Sequence, residues 1–252
     1  MALAAFDLEI AKEMPDDDRD WLGHGPVGIG CAAFMREGAD TTPLVMFDPR
    51  SSPHLVDPAT KAMTRQGAGL IVEALTTAVR GGFTIVTWNG LGFDFPVLAA
   101  ESGLHAECVQ LAWDSVDMMF QLVCVNGHML SLDTALLGMG LQSKIHTVRL
   151  NDGREASISG RDAPRLWQAD EYQAVTEYCA GDVRQTLALA LECQRRRCLS
   201  WTSQRGKPAR MELGQRWLTV RECLALPEPD TSWMRDPVRR ESFASWMGEP
   251  AL

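Results

Sequence analysis

Residues Leu3 to Ile10 read Leu-Ala-Ala-Phe-Asp-Leu-Glu-Ile, and no other stretch of this chain restricts the fold as tightly. Phe6, Leu8 and Ile10 alternate with Asp7 and Glu9, and successive side chains of an extended chain point to opposite faces. The period of two predicts a β-strand with an apolar face and an acidic one. Its two carboxylates stand about 7 Å apart on the same side. An acidic loop follows at residues 14–20, with Pro15 and the run Asp16-Asp17-Asp18. Residues 27–35 and 44–47 read as two further strands separated by the turn Glu37-Gly38-Ala39-Asp40, which predicts a meander of three antiparallel strands. The glycines between Gly23 and Gly30 lead into a strand pattern and not a helix, which excludes a dinucleotide-binding loop.

Residues 60–80 place Leu70, Ile71, Ala74, Leu75, Ala78 and Val79 at helical spacing and stop at Gly81-Gly82. A short β-branched strand is expected at residues 83–87. Trp88-Asn89-Gly90 then turns the chain, and Pro96 falls in the first turn of the next helix, where it is tolerated. Further helices are expected near residues 105–113 and at 131–140, the latter closed by Gly138 and Gly140. Residues 147–160, centred on Asn151-Asp152-Gly153, predict a β-hairpin. A long helix spans about residues 170–196. This order predicts an α/β fold: a mixed central sheet of three antiparallel strands plus parallel strands, flanked by helices. Residues 1–197 are expected to form the main domain. Residues 198–252 hold five prolines and four tryptophans, and read as an extension packed on that domain.

The charge is −9 overall, although residues 195–252 carry eleven basic against seven acidic residues, so the acidic excess lies in the first 194. An acidic body excludes tight, sequence-independent coating of duplex DNA, which is driven by phosphate neutralisation. It suits a protein that holds metal ions through carboxylates. Arg195-Arg196-Arg197, Arg205, Lys207 and Arg210 either touch phosphates or form a solvated helix end and loop. No apolar run reaches the ~18–20 residues of a membrane span, and residues 1–10 lack the features of a signal peptide. Seven cysteines without a C-x-x-C spacing predict buried small hydrophobes in a reducing cytoplasm. The five histidines form no metal-ligand spacing, and neither Ser115 nor Ser131 has a nucleophile-elbow context.

Three separate segments carry an acid in an informative setting. The first strand offers Asp7-x-Glu9. The turn after the fourth strand offers Asn89-Gly90-Leu91-Gly92-Phe93-Asp94, with the acid at the mouth of a helix. The long helix offers Tyr178 and Asp182 at i and i+4, on one face. Four carboxylates brought together repel unless cations hold them. Hard oxygen donors without thiolate or imidazole favour Mg²⁺ or Mn²⁺ over Zn²⁺. Such a cluster suits two ions about 3.5–4 Å apart, the arrangement for in-line displacement at phosphorus.

These motifs, in this order, resemble those of the DEDD (DnaQ-like) 3′–5′ exonucleases of the ribonuclease H-like fold, over about residues 3–195. Phe6-Asp7-Leu8-Glu9 matches the first motif and Asn89 to Asp94 the second. Tyr178 and Asp182 match the Tyr-x₃-Asp form of the third, and Glu177 stands where the alternative form needs a histidine, so the tyrosine branch is implied. Ser131-Leu132-Asp133-Thr134 and the sequence around Tyr178 are similar to stand-alone bacterial exonucleases related to the family B DNA polymerase exonuclease domain. The resemblance implies that Asp7, Glu9 and Asp182 hold one metal, with Asp7 bridging to a second near Asp94, the pair being Mg²⁺ or Mn²⁺. Tyr178 is implied to orient the attacking water; its ordinary pKa near 10 suits positioning better than general-base work. Trp88, Asn89, Leu91 and Phe93 are candidate substrate-binding residues. Trp88, Leu91 and Phe93 either stack on or wedge the terminal bases or pack the core. Asp117 and Asp133 are candidate supports for the site, with a helix cap the plainer role for Asp133. Lys144 either meets a phosphate or is solvated.

The expected function is a metal-dependent 3′–5′ exonuclease releasing nucleoside 5′-monophosphates from single-stranded 3′ ends, DNA before RNA. The alternatives are a 3′–5′ exoribonuclease of the ribonuclease D type and a non-catalytic protein that binds nucleic-acid ends. These 252 residues show no polymerase motif, so proofreading implies a protein partner in DNA repair or replication.

Overall fold

A computed structural model of the chain describes residues 1–14, 25–235 and 237–248. The run Asp16-Asp17-Asp18, most of the expected acidic loop, and Gly23 lie outside the described residues. The strands are β1 (Ala2–Ile10), β2 (Ile29–Arg36), β3 (Leu44–Val45), β4 (Phe83–Thr87) and β5 (Val116–Asp117). They form one sheet in the order β3-β2-β1-β4-β5. β1, β2 and β3 pair antiparallel; β4 and β5 run parallel to β1. This is a mixed α/β sheet, with three antiparallel strands and two parallel ones. The meander is present, with β2 starting two residues later than its pattern suggests and β3 cut to two residues.

The register explains why β1 carries the site. β4 pairs with β1 only from Ala2↔Phe83 to Ala5↔Val86, while β2 follows β1 to its end, with Asp7↔Ala33 and Glu9↔Cys31. Residues 6–10 therefore run past the point where β4 leaves the sheet. A crevice at the carboxyl ends of parallel strands is where open α/β sheets bind ligands.

Helix α1 (Arg65–Arg80) is capped by the Thr64 side chain, which accepts the Gly67 N–H, and buries Ala68, Ile71, Val72, Leu75 and Ala78. Leu70 and Val79, counted on its apolar face from spacing, point outward at 48 % and 37 % exposure. Helix α2 (Asp94–Ser102) covers one face of the sheet, where Phe95 meets Phe6 with ring centres 6.3 Å apart. It is followed by α3 (His105–Asp114), α4 (Met118–Asn126) and α5 (Leu132–Gly138). A short hairpin, β6 (Thr147–Arg149) with β7 (Glu155–Ser157), and α6 (Ala163–Gln168) lead into α7 (Tyr172–Arg196). At 25 residues α7 is about 37 Å long. It lies across the other face, over β1 and β2.

Helix α4 has no readable apolar stripe because seven of its nine residues are buried, so no periodic contrast survives. Beyond Arg197 the chain forms a second hairpin, β8 (Cys198–Thr202) with β9 (Pro208–Glu212), then α8 (Val220–Leu224) and α9 (Glu241–Ala244). Trp217 is fully buried and its Nε1 donates to the Ala190 carbonyl of α7 at 3.0 Å, whereas Trp233 is 69 % exposed. All seven cysteines are buried free thiols. No helix among the described residues is long and apolar enough to cross a membrane.

Candidate active site

The side chains of Asp7 and Glu9 leave β1 on the face that α7 covers. Across from them β2 supplies only Ala33 and Cys31, which leaves room for two carboxylates. From α7, Cys179 packs its thiol against Asp7, 3.8 Å from Oδ2, and one turn of helix sets Tyr178 and Asp182 beside it. Carboxylate oxygens of Asp7, Glu9 and Asp182 all lie within 4.8 Å of one another. Asp94, the first residue of α2, reaches the same place from the opposite side. Its Oδ1 accepts the Leu8 N–H at 2.9 Å, filling the hydrogen-bonding edge of β1 that β4 vacated. Tertiary structure thus gathers all four expected acids and Tyr178 around one end of β1.

The electrostatics of this cluster are unfavourable without a counter-charge. Two carboxylates at such separations repel by roughly 3 kcal/mol at an effective dielectric of 20. Burial, followed by the Asp94 and Asp182 charges, pushes Asp7 well above the ordinary carboxylate range. Burial, then Asp7 and Asp182, does the same to Glu9. Asp94 is pushed up to about 7, chiefly by burial, although the Leu8 N–H opposes the shift. Asp182 is raised by burial and partly restored by Lys144. The Tyr178 phenol is raised far beyond its ordinary value, first by burial and then by Glu9, Asp182 and Asp7. It stays protonated at any physiological pH.

Lys144 is neither solvated nor free to roam the cleft. Its Nζ donates to the Tyr178 hydroxyl at 2.8 Å and pairs with Asp182 Oδ2 at 2.5 Å. Burial works to lower its pKa, but Asp182 and then Asp7 and Glu9 outweigh it and raise it. The sequence carries one sign of this contact. Gly181 sits inside α7, and a Cβ there would stand 2.5 Å from Ile145 Cδ1, so any larger residue would displace the Ile145 side chain next to Lys144. An isolated glycine in a helical pattern marks such an approach.

Asp133 does not cap α5; the Ser131 side chain does, accepting the Thr134 N–H. Asp133 instead accepts the Lys144 N–H at 2.7 Å and pairs with His146 Nε2 at 2.6 Å, fixing residues 144–146 over the site. Asp117 caps α4 and accepts the N–H groups of Phe120, Asn89 and Leu91 at 2.9–3.0 Å. It supports the turn that presents Asp94.

A cleft of about 720 Å³ opens over the acids. Trp88, Asn89 and Phe93 line it on the side of α2, and Lys144, His146 and Arg161 on the other. Leu91, named with them as a candidate substrate contact, is fully buried and lies outside that lining. The turn between Asn89 and Asp94 points its odd, apolar member inward, so Leu91 packs the core. His146 and Arg161 escaped sequence reasoning because each stands in an irregular stretch without a motif.

The donor set fits a hard divalent cation. Three carboxylates converge, all donors are oxygens, and Asp182 Oδ1 is buried without a hydrogen-bond partner among the described residues. A buried oxygen without a partner is costly unless a donor or a cation meets it.

A family model described as a predicted 3′–5′ exonuclease related to the exonuclease domain of PolB matches residues 63–208. That stretch contains Asp94, Tyr178 and Asp182; Asp7 and Glu9 precede it. No curated protein matches the sequence. Among solved structures, the family B DNA polymerase of the hyperthermophilic archaeon Pyrobaculum calidifontis is 18 % identical with a TM-score of 0.47, over 77 % of this chain and 24 % of the polymerase. An apo exonuclease I is 13 % identical with a TM-score of 0.35, over 77 % of this chain and 42 % of that one. The chain therefore spans less than half the length of either.

Proposed function

This chain belongs to the family of predicted 3′–5′ exonucleases related to the exonuclease domain of PolB, and on that premise we propose that it removes nucleoside 5′-monophosphates one at a time from single-stranded 3′ ends, DNA before RNA. The observation that carries the reading is the convergence of Asp7, Glu9 and Asp182, from two elements 170 residues apart, on one buried spot with an unpaired oxygen. Two Mg²⁺ or Mn²⁺ ions held there would supply an acidified water nucleophile and stabilise charge on the departing 3′ oxygen.

In this reading Asp7, Glu9 and Asp182 hold the ions and Asp94 completes the set. Tyr178 keeps its proton, so its hydroxyl orients the attacking water and does not act as the base. Trp88 and Phe93 offer aromatic surface to the terminal bases and Asn89 a hydrogen-bonding edge. Residues 1–197 form the catalytic domain, with 198–252 packed on it. The tyrosine branch, a cytoplasmic location and a partner in DNA repair or replication belong to the same proposal.

The test is direct. With Mg²⁺ or Mn²⁺, the protein should shorten a 5′-labelled single-stranded oligonucleotide into a ladder, and EDTA should stop it. Matched DNA and RNA strands rank the substrates. Binding of both without cleavage of either would replace the proposal with that of an end-binding protein.

A further inference from the structure

The turn formed by residues 88–94 is held from two sides. From the body, Asp117 accepts the N–H groups of Asn89 and Leu91. From outside, residues 241–247 close over it. Trp246 Nε1 donates to the Leu91 carbonyl at 2.9 Å. Phe243 is buried, lies 5.6 Å from the Phe120 ring, and presses on Gly92, where a Cβ would come within 2.9 Å of it. The segment is itself anchored. His105 Nε2 stands 3.0 Å from the Trp246 carbonyl, with the rings edge-on at 5.8 Å, and the Arg240 guanidinium donates to the Leu226 carbonyl at 2.7 Å.

Such a clamp has something to hold. Asn89 has φ of 71°, in the left-handed region that non-glycine residues uncommonly occupy and asparagine enters most readily. Asn89, Phe93 and Asp94 face the cleft from this turn, while Phe243 and Trp246 touch its back and line no part of the cleft.

We propose that residues 241–247 are a positioning strap, in which Trp246 and Phe243 hold the turn so that Asn89 and Phe93 meet the terminal nucleotide in register. The inference rests on the exonuclease reading and extends it to a segment beyond the family match, which ends at residue 208. The strap bears on the wall carrying Asn89 and Phe93, and the three clustered acids of β1 and α7 are set by other elements. Its loss should therefore weaken substrate binding far more than cation binding.

Trp246→Phe keeps an aromatic ring of smaller size and removes the Nε1–H donor; Phe243→Leu thins the contact on Gly92 and serves if the first variant fails to fold. Three measurements apply to each: amide hydrogen exchange at residues 89–95, steady-state kinetics on a single-stranded oligonucleotide, and Mn²⁺ binding by calorimetry. The expected result is faster exchange confined to the turn and a KM raised about three- to tenfold, the worth of one hydrogen bond, with kcat and Mn²⁺ affinity within about twofold. Unchanged exchange at residues 89–95, or an unchanged KM, overturns the proposal, as does a parallel loss of Mn²⁺ affinity and kcat. Failure of the wild-type protein to cleave any strand would overturn the exonuclease reading instead, and the exchange comparison would still decide whether the strap restrains the turn.

Discussion

Two sets of buried acids lie side by side at the carboxyl ends of the strands, and they are solved in opposite ways. Asp117 is buried and its pKa is raised by that burial, but the backbone N–H groups of Phe120, Leu91, Asn89 and Met119 work against the shift. Its charge is met by donors of the fold itself. Asp7 and Glu9 meet chiefly other carboxylates, and Asp182 beside them is met by Lys144 and the Tyr178 hydroxyl. A buried carboxylate surrounded by amide donors builds structure. Buried carboxylates facing one another store repulsion that a cation can relieve.

The largest effect expected from this contrast is on activity. Asp7→Asn, or Asp182→Asn, should lower cleavage by about a thousandfold, roughly 4 kcal/mol in the barrier. Asp7→Asn should also melt no lower than wild type in EDTA, because it removes a repelling charge. Retained cleavage in both, assayed on labelled oligonucleotide, would break the comparison from the functional side.

Asp117→Ala should do the reverse. Stranding several buried N–H groups is expected to cost about 2–4 kcal/mol of stability, read as a lower denaturation midpoint. If Asp117→Ala proves as stable as wild type, its donors are not what the fold relies on.

Tyr178→Phe should lower kcat by about 10- to 100-fold, about 1.4–2.7 kcal/mol in the barrier, with little change in Mn²⁺ affinity. The pH profile should also keep its shape, since the phenol does not titrate in the accessible range.

The most graded effect is with pH. The site acids have folded pKa values raised above their unfolded ones, so between the two the native state binds more protons and stability falls as pH rises. For Asp94 that window runs from its ordinary 3.8 to about 7. Metal-free protein should therefore be more stable near pH 5 than near pH 8, by at most about 1.4 kcal/mol per pH unit for each group losing its proton. Mg²⁺ should remove the trend, because its ligands bind deprotonated and its affinity rises with pH. Thermal melts across pH, with and without Mg²⁺, sharpen the comparison or flatten it.

The elements that the chain announces are those with local signals. The alternation around Asp7, the Gly81-Gly82 stop, the Asn151-Asp152-Gly153 turn and the apolar spacing of α7 each act over a few residues, where backbone preference and one-sided burial dominate. Helix α4 hid its period by being buried on nearly all sides. The hairpin β8–β9 hid because its strands are short and Pro208 opens the second of them. Within the site, the carboxylates were legible from residue type and order. Lys144 was not, since its partners lie 34 and 38 residues away and its surroundings mix charge with apolar chain.

Taken alone, the sequence determined which acids the chain carries, on which elements, and that β1 must show them on one face, because strand and helix periods are properties of the local backbone. Only tertiary structure decided which buried acid would be satisfied by amides and which would be left facing its own kind. It also decided that Lys144 closes on Tyr178, that Leu91 turns inward, and that a segment about 150 residues further on presses against the turn of residues 88–94. Those outcomes depend on distances between remote parts of the chain, and they exist only after the sheet, α7 and the C-terminal residues have packed.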